Sequence, residues 1–134
     1  YKDRAHFVMV YVREAHPTDG WKMQANTRVG VAVNQPTSFE DRENVASQFC
    51  ERLDPKIPVV IDEVNDPTGH AYSGMPARLY IVNPDGKVAY KSGRGPFGFK
   101  PLELEQALVM SLLDQQLLSQ NNPNATDRKL VKSV

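Results

Sequence analysis

The fold is decided by the stretch Ala5-His6-Phe7-Val8-Met9-Val10-Tyr11-Val12, which is almost continuously apolar and rich in β-branched and aromatic residues. Such a run favours a β-strand buried on both faces, as in a parallel or mixed sheet covered by helices. The residues that follow, 13–21, contain Pro17 and Gly20, which predict a turn-rich loop at the end of the strand. We therefore expect the chain to form an α/β domain around this strand.

The strand is followed by segments that alternate between helical and extended patterns. Residues 22–36 lack a clear hydrophobic period and predict a long loop. Thr37 or Ser38 can cap a helix with acidic first turns, which the helix dipole favours. The turn sequence Asn83-Pro84-Asp85-Gly86 predicts a hairpin. The predicted elements, in chain order, are a strand at 5–12, a helix at 39–53, a strand at 57–61, one helical turn within 69–74, hairpin strands at 77–82 and 87–91, and a helix that begins at Pro101.

Length and composition restrict the class of protein. The chain has 134 residues, 40% apolar and 24% charged, which fits one soluble globular domain. We expect that domain to span residues 1–119 and a polar flexible tail to occupy residues 120–134. Lys plus Arg equals Asp plus Glu at 16 each, and the basic residues are scattered, so no nucleic-acid partner is expected.

Cysteine and histidine usage excludes several kinds of site. Cys50 is the one cysteine of the chain, so an internal disulfide, a CxxC pair and a cysteine-rich zinc site are excluded. It falls near the core face of the predicted helix, where an unpaired thiol is usually inert packing. His6 and His70 lie apart from any acidic cluster, and we interpret both as structural. No bound metal or other cofactor is expected.

The start of the chain bears on its location. Tyr1, rather than a methionine, stands first, which indicates a processed chain or a fragment. The longest apolar run, around Phe7–Val12, is far shorter than the roughly 20 residues that span a bilayer. Two locations therefore remain open: the cytoplasm, or a membrane to which a segment before Tyr1 anchors the chain.

Four stretches of the sequence resemble one known family. Residues Tyr11–Trp21 read YVREAHPTDGW, which is similar to the pattern Y-I-x-E-A-H-x-x-D-G-W of the iodothyronine deiodinases. Residues Pro76–Ile81 resemble the P-x-R-L-Y-I of that family, and Gly93–Phe99 resembles its G-x-G-P-x-x-[FY] loop. Phe39–Arg42 fits the start of its crossover helix. The resemblance covers roughly residues 5–115.

The resemblance implies a thioredoxin-like fold, of which this chain would be the C-terminal portion: central strand, crossover helix, strand, β-hairpin and C-terminal helix. The family reductively removes iodine from thyroid hormones with a selenocysteine or cysteine nucleophile. That nucleophile stands in an upstream S-x-T-[UC]-P-P-F motif, expected before Tyr1, so this chain by itself is expected to be inactive.

The resemblance also implies roles for individual residues. Tyr11 and Glu14 map onto a proton-delivery network, His16 and Arg78 map onto a clamp for the amino-acid end of the hormone, and Pro76 maps onto a cis-proline. Trp21 would supply an aromatic wall for an iodinated ring. The residues alone leave alternatives open: a salt bridge of Glu14, a His16 ring packed on Trp21 and bonded to the backbone, and a structural ion pair of Arg78.

One departure from the family keeps other functions open. The vertebrate enzymes carry a histidine in the loop before the crossover helix, whereas this chain has none between Pro17 and Gly69. The leading hypothesis is a deiodinase-like oxidoreductase that takes a small, iodinated aromatic substrate and a thiol reductant as co-substrate. The alternatives are a non-catalytic thioredoxin-fold binding domain and a peroxiredoxin- or redoxin-like thiol reductase. A homodimer is left open.

Overall fold

The computed structural model describes residues 1–28, 30 and 32–121 of the chain. It is an α/β protein, and the predicted order of strand, helix, strand, hairpin and helix is confirmed. A short helix lies where the sequence predicts only a loop, and the predicted helical turn begins slightly earlier than expected. The elements are β1 (Met9–Tyr11), α1 (Gln24–Arg28), α2 (Phe39–Leu53), β2 (Val59–Ile61), α3 (Pro67–Ala71), β3 (Tyr80–Val82), β4 (Val88–Lys91) and α4 (Pro101–Asn121).

The strands β1 and β2 pair in parallel, with Val10 opposite Val60, and α2 provides the crossover between them. The Ser38 side chain caps α2 by accepting a hydrogen bond of 3.1 Å from the Asp41 backbone N–H, as predicted. The helix ends at Leu53 and is capped by Asp54, whose left-handed backbone (φ 44°) directs its N–H to the Cys50 carbonyl. Parallel pairing places the carboxyl ends of both strands at the same edge.

The two faces of this small sheet differ in exposure. On one face the Tyr11 ring packs against Phe49 of α2, with ring centroids 5.5 Å apart. On the other face Val8, Val10 and Val60 are 58%, 37% and 47% exposed. The prediction that the first strand is buried on both faces is therefore wrong. In the described part of the chain the sheet has only two strands, and α2 covers one side of it.

The chain divides into two compact units. The first comprises Tyr1–Arg78 with Gly93–Phe99, and the second comprises Leu79–Ser92 with the chain from Lys100 onward. Described by itself, the second unit is the antiparallel hairpin β3–β4 and the helix α4, which buries Leu108 and Leu112. The described strands thus form two separate sheets, β1–β2 and β3–β4.

The hairpin turn and the end of α4 refine the predicted boundaries. Gly86 has φ 81°, a backbone conformation that favours glycine, and its N–H donates to the Asn83 carbonyl at 2.8 Å. Helix α4 continues to Asn121, so the first two residues of the predicted tail are helical. The remainder of that tail lies outside the described residues.

Candidate functional site

A cleft opens at the carboxyl ends of β1 and β2, within the first unit. Its volume is about 440 Å³, within the range of pockets that bind small molecules. Open α/β sheets commonly bind ligands at this edge, because the loops after the strands converge there. The lining residues come from the loops after β1 and β2, from the segment before α2, and from α3 and the loop after it: Arg13, Glu14, Ala15, Gln35, Pro36, Val64, Asn65, Asp66, His70 and Met75.

Tyr11 and Glu14 form a hydrogen-bonded pair at the start of this cleft. The hydroxyl of Tyr11, the last residue of β1, donates to Oε1 of Glu14, whose side chain lines the cleft. Burial, reinforced by the hydrogen bond to Glu14 and its negative charge, raises the pKa of the Tyr11 hydroxyl well above its ordinary value. Tyr11 therefore keeps its proton at physiological pH and holds the Glu14 carboxylate in place.

His16 and Trp21 form a second pair in the loop after β1. Nδ1 of His16 lies 3.2 Å from the Trp21 carbonyl oxygen, and the two rings meet edge to face with centroids 4.9 Å apart. A carbonyl only accepts hydrogen bonds, so Nδ1 carries the proton and Nε2 of a neutral His16 is left as the acceptor. Trp21 is 80% exposed and so forms no closed aromatic wall here. Neither residue lines the cleft.

Arg78 and Pro76 lie in the segment that follows the cleft residue Met75. The Met75–Pro76 peptide bond is cis, the geometry that the resemblance implies for Pro76. Arg78 is half-buried and engaged by neighbouring groups, and it does not line the cleft. The arrangement thus brings Tyr11 to Glu14 and His16 to Trp21, whereas neither His16 nor Arg78 lines the cleft.

The loop Gly93–Phe99 folds tightly beside this segment. Its Gly95 N–H donates to the Ala77 carbonyl at 2.9 Å. A Cβ atom on Gly98 would stand 2.3 Å from the carbonyl carbon of Gly93, so only glycine fits at residue 98. The glycine content of this stretch is explained by close backbone approach.

A buried arginine, which sequence reasoning missed, organises one wall of the cleft. Arg42 of α2 is 1% exposed. Its Nη1 donates to Asp66 Oδ1 and to the Glu63 carbonyl, both at 2.6 Å, and Nη2 donates to the Val64 carbonyl at 3.4 Å. The guanidinium therefore fixes the loop after β2. A signal was available, since Arg42 falls three residues after Phe39 and four before Ala46, on the core face of α2.

Asp62, at the end of β2, fixes the start of α3. Its Oδ2 accepts from the Gly69 N–H at 2.8 Å, and its Oδ1 accepts from the N–H groups of Thr68 and Glu63 at 3.2 and 3.1 Å. Burial acts to raise the pKa of this carboxyl, but these donors hold it below its ordinary value. Asp62 thus satisfies N–H groups that the first turn of α3 leaves free.

His70 of α3, which the sequence analysis interprets as structural, lies beside the cleft. It lines the same cleft as Glu14. Cys50, by contrast, is half-buried on α2 and does not line the cleft.

Across residues 1–28, 30 and 32–121 no group of three or more His, Cys, Asp or Glu side chains is placed to hold a metal ion. None of the helices described is both long and apolar enough to cross a membrane.

The fold and the cleft define an α/β protein with a hydrogen-bonded Tyr–Glu pair at the carboxyl edge of a parallel strand pair. The profile of the iodothyronine deiodinase family matches residues 1–111. The chain is 35% identical to a type I iodothyronine deiodinase of Xenopus laevis over 75% of its own length, and 32% identical to a thyroxine 5-deiodinase of Gallus gallus over 93%. It is 34% identical to a type II iodothyronine deiodinase of Rattus norvegicus over 85%.

The chain belongs to the iodothyronine deiodinase family. It spans 37%, 45% and 43% of the lengths of these three relatives, which is less than half of each.

Proposed function

We propose that this chain forms the substrate cleft of a deiodinase-like oxidoreductase with a thioredoxin-like fold. The observation that carries the proposal is the Tyr11–Glu14 hydrogen bond at a cleft of about 440 Å³. The parallel β1–β2 pair and its crossover helix support that fold. His16, Arg78 and Trp21 remain the proposed contacts for the substrate, beyond the cleft-lining residues.

The reaction needs a nucleophile, a proton and a reductant. A cysteine or selenocysteine from a segment outside this chain attacks iodine on the aromatic ring, the carbon–iodine bond breaks, and iodine passes to sulfur or selenium. The ring carbon keeps the electron pair and takes a proton through Glu14, which Tyr11 holds in place. A thiol reductant then attacks this sulfur or selenium and releases iodide. A second thiol removes the first as a disulfide, which regenerates the nucleophile.

Iodide release from thyroxine by the full-length protein, with dithiothreitol as reductant, tests this function. We expect Glu14→Gln to lower the rate by about a hundredfold, the lower end of the effect of a positioned acid or base. Glu51→Gln, which changes an exposed carboxylate on α2, is the matched control and should leave the rate unchanged. Absence of iodide release from the unchanged protein, or an unaffected Glu14→Gln variant, would exclude the proposal.

A second candidate is a binding domain without catalysis, which the lack of a histidine between Pro17 and Gly69 favours. Saturable binding of an aromatic amino-acid analogue, with no thiol-dependent turnover by the full-length protein, would support it. Turnover of peroxide in place of the iodinated substrate would indicate a redoxin-like reductase.

A further inference from the structure

Three hydrogen bonds tie the segment before α2 to the loop after β1. The Thr18 N–H donates to the Val33 carbonyl at 2.8 Å, and the Thr18 hydroxyl donates to Oδ1 of Asn34. The Gln35 N–H donates to Oδ1 of Asp19 at 3.0 Å. Two neighbouring residues of one loop thus hold three consecutive residues of the other segment. These three bonds are called the clasp below.

A tight turn presents the two residues on the loop side of the clasp. The Gly20 N–H donates to the Pro17 carbonyl at 3.2 Å, which closes a turn around Thr18 and Asp19. A Cβ atom on Gly20 would stand 3.0 Å from Cγ of Pro17, so the turn leaves little room for a side chain there. Asp19 supplies the negative charge of the clasp, and an N–H group bonds more strongly to a carboxylate than to a neutral oxygen.

The other side of the clasp leads directly into the wall of the cleft. Gln35, which is half-buried, and Pro36, which is buried, both line the cleft, whereas Thr18 and Asp19 do not. Residues 32–36 belong to no helix or strand. Hydrogen bonds of regular structure therefore do not fix the backbone of Gln35, and the bond to Asp19 does so instead.

We propose that Gln35 is a substrate-contact residue of the cleft and that Asp19 is the positioning residue that holds it there. The side-chain amide of Gln35 can donate a hydrogen bond to a polar group of the ligand or accept one from it. Asp19 acts only through the backbone of Gln35. The inference rests on the proposed function and deepens it, because it names a group that recognises the iodinated aromatic substrate.

Equilibrium dialysis of the full-length protein against thyroxine, without reductant so that no turnover occurs, tests the contact. We expect Asp19→Ala and Gln35→Ala each to weaken binding by about tenfold, the effect of losing one neutral hydrogen bond. Because Asp19 acts through Gln35, the double variant should bind as Gln35→Ala does. A variant that is merely unfolded in part would lose binding sites rather than affinity.

Two further variants separate positioning from the loss of any surface carboxylate. Asp19→Asn keeps an acceptor oxygen for the Gln35 N–H, so it should bind within about threefold of the unchanged protein. Asp85→Ala is the matched control, because Asp85 is also exposed and accepts a backbone N–H, from Lys87 at 3.2 Å, but does not line the cleft. It should leave the affinity unchanged.

Limited digestion with trypsin tests the clasp without any ligand. Lys22 and Arg28 are exposed and lie between the two sides of the clasp. Because opening of the clasp frees the chain between its two sides, Asp19→Ala should be cut after these residues on the order of threefold faster than the unchanged protein. Asp85→Ala should be cut at the unchanged rate, and mass spectrometry identifies the sites.

The proposal is overturned if Asp19→Ala is cut no faster than Asp85→Ala, or if it binds thyroxine as tightly as the unchanged protein does. Additive losses of affinity for Asp19→Ala and Gln35→Ala, or an unchanged protein that does not bind thyroxine, would overturn it as well. Thyroxine binding without iodide release would contradict the proposed function alone, so the two failures are distinguishable.

Discussion

At the scale of single residues, the raised pKa of Tyr11 links the candidate site to alkaline stability. An unfolded tyrosine loses its proton near pH 10, whereas the folded Tyr11 keeps it. Above about pH 10 the unfolded chain therefore binds fewer protons than the folded chain, and the free energy of unfolding falls as pH rises. Below that pH the contribution is fully present.

Tyr11→Phe removes this linkage together with the hydrogen bond to Glu14. We expect the variant to be less stable than the unchanged chain at pH 8, and the difference to narrow at pH 11. Urea unfolding of both proteins at the two pH values measures it, and the other four tyrosines are common to both and cancel. A constant difference across this range would contradict the raised pKa.

Among the candidate residues, the contacts that the structure shows join residues close in sequence. Tyr11 and Glu14 stand three positions apart at the end of a recognisable strand, and His16 and Trp21 stand five apart in one loop. The Arg42–Asp66 pair joins residues 24 positions apart, and its formation depends on how α2 packs over β2. No local pattern encodes that distance. The position of His70 beside the cleft was not predicted for the same reason, because that cleft is assembled by tertiary contacts.

At the scale of elements, α3 depends on a carboxylate outside the helix. Asp62→Asn removes one acceptor oxygen and the charge, which leaves the Gly69 or the Thr68 N–H without a partner. We expect a loss of about 1–3 kcal/mol in the free energy of unfolding at neutral pH. Because the pKa of Asp62 is lowered in the folded state, its contribution is present above about pH 4 and is lost as pH falls through the folded-state pKa.

Urea unfolding at pH 7 and pH 3 checks this expectation. The gap between Asp62→Asn and the unchanged chain should shrink at pH 3. Asp3→Asn, a change at an exposed position, provides the control and should leave stability unaltered at both values. An Asp62→Asn variant as stable as the control at pH 7 would show that other groups hold α3.

Helix α2 was predicted with correct bounds because capping, charge and periodicity agree there. The strands are shorter than their apolar runs, with β1 covering Met9–Tyr11 of the predicted 5–12. Strand length is set by hydrogen bonding to a partner strand, which composition does not encode. Helix α1 was missed because five residues carry too little periodicity to be recognised.

At the scale of the whole molecule, the exposed face of β1–β2 is the main departure from a closed core. We expect the chain to bind a hydrophobic dye such as ANS while native, because Val8, Val10 and Val60 form an apolar patch. The combined change Val10→Thr and Val60→Thr keeps β-branched side chains and should reduce dye fluorescence. Leu53→Gln, at an exposed position at the end of α2, should reduce it less.

Fluorescence titration at 25 °C, together with a thermal melt, makes this measurement. Absence of dye binding by the unchanged chain, combined with a cooperative melt, would contradict an exposed face.

The α/β class was predictable from the order of elements, but the split of the described strands into two sheets was not. Pairing between distant strands depends on contacts that the hydrophobic pattern of each strand leaves undefined.

The route of the chain between its two units has a use in protein engineering. The chain passes from the first unit into the second at Leu79 and comes back to the first after Ser92. A backbone hydrogen bond from Gly95 to Ala77 holds these two crossing points close together. The hairpin tip at Asp85 and Gly86 is exposed and lies in the second unit. An epitope or a fluorescent reporter inserted there would leave the cleft-lining segments covalently intact.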